Sequence, residues 1–173
     1  MKISVFGSSS ALPETPEFKD AVNFGKLAAT EGWAIACGAY KGIMLATAMG
    51  ARSAGGTVTG VVWKGSLLTP NEYVSEIITV NEYLERSRYL IMNSNVYVFF
   101  PGGTGTLMEL AATWALLERN LLERKLIITI GEEWRELVQL ISFYNENSFE
   151  SGLFIHNVAT SEEAIELIKQ FHL

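Results

Sequence analysis

Residues 96–109, VYVFFPGGTGTLME, pass from an uninterrupted apolar run through a glycine-rich loop into a helix. The run from Val96 to Phe100 has the pattern of a strand covered on both faces, which belongs in a parallel sheet with helices on either side. The loop follows the carboxyl end of that strand. Open parallel sheets bind ligands at this edge, and the amides that open the next helix attract an anion. Gly102, Gly103 and Gly105 let the backbone come close to a phosphate. No lysine lies between Pro101 and Glu109, so this is not a loop whose lysine reaches the phosphates. Backbone amides and the hydroxyls of Thr104 and Thr106 must do the holding.

Similar apolar runs recur at residues 3–6, 33–36, 58–62, 77–80 and 126–130, with a short further one at 157–159. Helical patterns separate most of them, at residues 17–31, 42–54, 81–93, 106–122 and 134–144. The alternation predicts an α/β three-layer sandwich with a mainly parallel sheet of about six or seven strands and helices on both faces. A last helix is marked by a capping box of Thr160 and Glu163 and by the stripe Ala164, Leu167, Ile168 and Phe171. The helix opening at Thr106 differs from the rest. Leu107, Met108, Leu110, Ala111, Trp114, Ala115, Leu117 and Leu121 leave it little polar face. Such a helix is either sandwiched in the core or self-complementary across a twofold axis, and we read it as the interface of a homodimer or a higher oligomer.

At 173 residues the chain fits one domain, 1–173, with a core large enough to need neither metal nor disulfide support. With 49% hydrophobic and 18% charged residues, and apolar stretches broken before they could span a bilayer, it reads as a soluble protein without a membrane partner. Residues 1–10 give a short strand and then Gly7 and three serines, without the apolar core of a secretory signal, so a cytoplasmic location is expected. Cys37 stands alone in the chain and reads as a small buried residue, with no histidine nearby in sequence to activate it. His156 and His172 show no metal-ligand spacing and read as structural or surface residues. A net charge of −6 and a pI near 5.0 argue against a nucleic-acid partner and for a small ligand. A nicotinamide dinucleotide fits poorly, because the first loop lacks G-x-G-x-x-G and no acidic residue follows the second strand.

Pro101, Gly102, Gly103, Gly105, Thr106 and Glu109 match the signature PGGxGTxxE, and the chain resembles the LONELY GUY (LOG) family of Rossmann-type nucleotide-binding proteins. The resemblance extends through VFGSSS after the first strand, CGAYKGIM after the second and AGGTVTGVV into the third. Upstream of the PGG loop the family carries a segment resembling MHERK. Here it reads YLERS, with Arg86 at the matching distance from Pro101 and Arg88 the alternate register.

The resemblance implies a Rossmann-like sandwich. It also implies hydrolysis of the N-glycosidic bond of AMP or a cytokinin riboside monophosphate, with no cofactor and no metal. Arg86 and Glu109 would then be catalytic, and Gly102, Gly103, Thr104, Gly105 and Thr106 would hold the phosphate. Base and ribose would lie against Gly7, Ser8, Ser9, Gly38, Gly42 and Met44. Local spacing offers plainer readings beside these. Thr106 and Glu109 would form a helix-capping box, Arg86 would pair with Glu82 on an exposed helix face, and Ser8 to Ser10 would be a polar turn.

The second loop departs from the family's GGGSVGLMG. Cys37 and Ala39 replace glycines, Tyr40 and Lys41 replace small or neutral residues, and Leu45 replaces the last glycine. The departure brings the loop nearer to relatives resembling molybdenum-cofactor carrier proteins, which implies the alternative of a nonenzymatic nucleotide or molybdenum-cofactor carrier. Lys41 would there add a phosphate contact.

Overall fold

The apolar runs pair side by side in a computed structural model that describes residues 1–145 and 155–171. The strands are β1 (Lys2–Phe6), β2 (Ala34–Cys37), β3 (Val58–Trp63), β4 (Glu76–Val80), β5 (Val96–Phe99), β6 (Leu126–Ile130) and β7 (Ile155–Val158). They form a seven-stranded sheet in the order β4-β3-β2-β1-β5-β6-β7, with every neighbouring pair parallel. The helices are α1 (Pro16–Thr30), α2 (Ile43–Ser53), α3 (Tyr83–Met92), α4 (Thr104–Glu118), α5 (Arg135–Asn145) and α6 (Ser161–Phe171). The fold is a Rossmann-like α/β sandwich.

The central strands are mostly apolar because successive side chains enter opposite cores. Val5 and Val98 join Phe18, Phe24, Ala46 and Ile165 under α1, α2 and α6. Their neighbours Phe6 and Phe99 join Leu90, Leu110, Trp114 and Trp134 under α3, α4 and α5. Phe6 and Phe99 are also register partners across β1 and β5, and their rings stack with centroids 4.6 Å apart. The central register thus has both hydrogen bonds and aromatic packing.

Two details differ from the sequence expectation. Helix α4 begins at Thr104 rather than Thr106, since Thr104 and Gly105 already take helical geometry. A 3-10 turn, Glu132–Trp134, precedes α5. Strands β3 and β4 are joined through residues 64–75 without a helix, which leaves β4 largely exposed at the sheet edge. Leu110, Trp114 and Leu117 of α4 cover the sheet, while Leu107 and Ala111 stay exposed. Among the described residues no helix is long and apolar enough to cross a membrane.

Helices α1 and α2 approach to backbone contact. A Cβ at Gly25 would lie 2.1 Å from the Thr47 carbonyl oxygen, and one at Gly50 would lie 1.9 Å from that of Val22. The crossing fixes where α2 begins, and therefore how the loop before it meets the sheet edge. Gly50→Val is expected to destabilise the protein by about 3 kcal/mol by forcing the pair apart, read as a lower urea midpoint. An unchanged midpoint would show that the crossing relaxes freely.

Candidate functional site

Strand β1 pairs with β2 on one side and β5 on the other, so the chain winds away in opposite directions from this point and the loops beyond it part into a crevice. A cleft of about 820 Å³ opens there, within the usual range for small-molecule sites. Its walls come from the loops after β1, β2 and β3, from α3 and from the start of α4. The first amides of α4 have no partner within the helix, and its N-cap residue, Gly103, supplies no side-chain bond. Gly103, Thr104, Gly105 and Thr106 all line the cleft.

The loop after β1 is stitched between its neighbours. The Ser8 amide donates to the Pro101 carbonyl at 2.9 Å, and the Ser8 carbonyl accepts from the Ile43 amide at 2.9 Å. Gly102 is required at this seam, because a Cβ there would lie 2.2 Å from the Thr106 hydroxyl oxygen. Gly42, at φ 64, lies against the same loop, where a Cβ would stand 2.1 Å from the Ser8 carbonyl oxygen. The Ser8 hydroxyl turns toward Ser10, their oxygens 2.9 Å apart.

Arg86 is 8% exposed. Its Nε donates to the Val61 carbonyl at 2.9 Å, and its Nη2 donates to the Gly38 carbonyl at 3.0 Å and to the Met44 sulfur at 3.4 Å. Tyr40 lies beneath the guanidinium, 5.5 Å from Cζ to the ring centroid. The exposed pair with Glu82 does not form. Glu82 and Glu85 instead make the capping box of α3, and Arg86 turns inward. Gly38 leaves room for it, since a Cβ there would lie 1.4 Å from Nη2. Arg88, the alternate register, is exposed and borders a separate depression between β4 and α3.

Glu109 is 7% exposed and lines the same cleft. It is no capping residue. With α4 opening at Thr104, Glu109 lies beyond the first turn, and its Oε1 accepts from the Ser87 hydroxyl at 2.8 Å. Burial raises its pKa, partly offset by the Ser87 hydrogen bond and the charge of Arg86. The structure therefore brings Arg86, Glu109, Gly103 to Thr106, Gly7 to Ser9, Gly38 and Met44 to one cleft, whereas Gly102 and Gly42 are not among its lining residues. Lys41 stands exposed at its edge.

Cys37 is buried beside this region, and desolvation pushes its thiol up to about 11, so it supplies little thiolate. His156 packs against Phe171 at 5.4 Å, away from the cleft; His172 lies outside the described residues. Among the described residues no cluster of three or more His, Cys, Asp or Glu side chains is placed to hold a metal ion.

Two residues escape sequence reasoning. Ser87 is flagged only by standing where the MHERK pattern has lysine. Asn71 has no signal at all. From the connection between β3 and β4 its amide and Nδ2 donate to the Ala39 carbonyl, and Nδ2 also donates to the Tyr40 carbonyl at 2.8 Å. This clamp holds Ala39 at φ 69, a left-handed conformation that costs a non-glycine residue about 1–2 kcal/mol. Gly60 leaves space for its methyl group, since a Cβ there would be 2.7 Å from that of Ala39.

The model of the SLOG cluster4 family matches residues 1–165. Among solved structures the chain is similar to the molybdenum cofactor binding protein from the phototrophic bacterium Rippkaea orientalis, with 25% identity and a TM-score of 0.81, covering 99% of this chain and 97% of that one. It is also similar to the molybdenum cofactor carrier protein from Chlamydomonas reinhardtii, with 25% identity and a TM-score of 0.75, covering 98% and 96%. A cytokinin riboside 5′-monophosphate phosphoribohydrolase from Mycobacterium marinum is 32% identical over 107 residues, 59% of this chain and 55% of that protein. The match thus spans about half the length of that relative.

A buried carboxyl with a raised pKa stabilises the fold below the ordinary carboxylate range and loses that contribution as pH rises through its folded value. Glu109→Gln removes the ionisation. The variant should melt above the wild type at pH 8, and the gap should close toward pH 4. An equal gap at both pH values would show that Glu109 does not titrate in this way.

Proposed function

The chain belongs to the SLOG cluster4 family, and on that premise we propose that it hydrolyses the N-glycosidic bond of a purine nucleoside 5′-monophosphate, AMP or a cytokinin riboside monophosphate, to free base and ribose 5-phosphate. The observation that carries this reading is Glu109, a buried carboxyl freed from helix capping and facing the cleft that the α4 N-terminus also enters. Burying a carboxylate is costly and raises its proton affinity. A carrier has no use for that cost, whereas a general base does.

The amides opening α4, with Thr104 and Thr106, anchor the 5′-phosphate, and this remote binding energy holds C1′ in place. As the C1′–N bond breaks, positive charge builds on the sugar and negative charge on the base. Glu109 faces the first and takes the proton of the attacking water, whose oxygen bonds C1′. Ser87 fixes the carboxylate by its hydrogen bond. The Arg86 guanidinium, always charged, stabilises the departing base, which takes up a proton from solvent. Water is the only co-reactant and no cofactor enters.

A second reading, a carrier of a phosphorylated ligand such as a nucleotide or molybdenum cofactor, is favoured by the likeness to a molybdenum cofactor binding protein and a molybdenum cofactor carrier protein over nearly the whole chain. Both readings share a phosphorylated small molecule at the α4 N-terminus. We further propose that the uncovered apolar residues of α3 and α4, Leu84, Leu107 and Ala111 among them, meet a second copy in a homodimer or higher oligomer, and that the protein acts in the cytoplasm.

Incubation with AMP, N6-isopentenyl-AMP and the matching nucleosides should release base from the monophosphates alone. Glu109→Gln should lower that rate about a thousandfold while leaving ribose 5-phosphate affinity nearly unchanged. Nucleotide binding without base release would favour the carrier, and release undiminished in the variant would remove Glu109 from the chemistry.

A further inference from the structure

Tyr83 opens α3 and lines the cleft while 44% exposed, within reach of a molecule bound there. The side chain is nonetheless held. Glu82 and Glu85 form the capping box around it, and its ring meets that of Trp63 edge on, with centroids 6.2 Å apart and planes at 83°. Gly65 folds over the same indole, where a Cβ would lie 1.9 Å from Trp63 Cζ3. The phenol therefore leans on a ring that is itself fixed.

Its hydroxyl ends at a second helix. The oxygen stands 3.4 Å from the point that a Cβ on Gly105 would occupy, so it lies at the first turn of α4, and Gly105 puts no side chain between them. The first hydrogen bond within α4 runs from the Leu107 amide to the Gly103 carbonyl, so the amides of Thr104, Gly105 and Thr106 take no partner from the helix. Cations are scarce beside them. Among the described residues that line the cleft they are Arg86, which commits Nε and Nη2 to the Val61 and Gly38 carbonyls, and Lys41 on the loop after β2. A phosphate held mainly by amides is served by a further neutral donor, and a phenol, protonated up to about pH 10, is one. Resting on the phosphate site proposed above, which the hydrolase and carrier readings share, we infer that Tyr83 is a phosphate-binding residue whose hydroxyl donates to an oxygen of the phosphate at the start of α4. The phosphomonoester is thereby gripped from α3 as well as from α4.

Tyr83→Phe keeps the ring against Trp63 and removes only the hydroxyl. The full chain carrying Glu109→Gln, which prevents turnover, is measured with and without it, for calorimetric affinity toward ribose 5-phosphate and AMP and for ligand-free Tm. Both ligands should weaken by the same factor, about tenfold for one hydrogen bond to a charged group. The Tm should stay within about 1 °C, as for a substitution at an exposed position. Undiminished affinity for ribose 5-phosphate, whether or not AMP weakens, overturns the inference while the phosphate reading stands. A Tm lower by about 3 °C or more overturns it by assigning the hydroxyl to the fold. Failure of the Tyr83-bearing protein to bind either ligand overturns the phosphate reading and this inference with it.

Discussion

Burying the guanidinium of Arg86 costs free energy that only well-placed acceptors recover, and the arrangement around the cleft follows from that requirement. The acceptors are the carbonyls of Val61, within β3 and one residue past its last pairing with β2, and of Gly38, just after β2. Residue 38 must then be glycine, Met44 must present its sulfur and Tyr40 its ring. Helix α3 is pulled onto the sheet edge by the same bonds. That places Ser87, one residue further on, against Glu109 of α4. One charge thus ties strand β3, the loop after β2 and helices α2, α3 and α4 into a single wall.

The sheet and its helices were legible because strands buried on both faces carry unbroken apolar runs, as in Val96 to Phe99 and Leu126 to Ile130. The PGG loop was legible for a related reason, since glycines between a strand and a helix serve few other purposes. The environments of the two charged residues were not. Arg86 bonds carbonyls 25 and 48 residues away, and backbone acceptors leave no trace in side-chain patterns. Thr106 and Glu109 imitate a capping box because a helix start two residues earlier is invisible when Thr104 and Gly105 read as loop. Asn71 lies in a stretch without periodicity, so its clamp on the β2 loop has no sequence signature. Family resemblance selected Arg86 and Glu109 where local spacing pointed to plain structural roles.

Several free-energy costs meet at the cleft. Ala39 at φ 69 and a desolvated Glu109 lie within or beside it. Others lie elsewhere, since Asn120 also takes a positive φ and the indole nitrogens of Trp114 and Trp134 are buried without a partner in the core under α3, α4 and α5. Such costs are tolerable over a securely packed sandwich.

The wholly parallel sheet also governs the order in which the molecule is made. The amide of Lys2 finds its acceptor in the side chain of Asn95, 93 residues later in the chain, and β1 cannot gain its second neighbour until β5 has emerged. Parallel pairings over such separations form slowly, because chain entropy is lost before contacts compensate it. During synthesis the first half of the sheet therefore waits with one flank of β1 open. The cleft, whose walls come from both sides of that flank, does not exist until the helix bearing Glu109 has left the ribosome. The cleft thus becomes available only once β5 and α4 have joined β1.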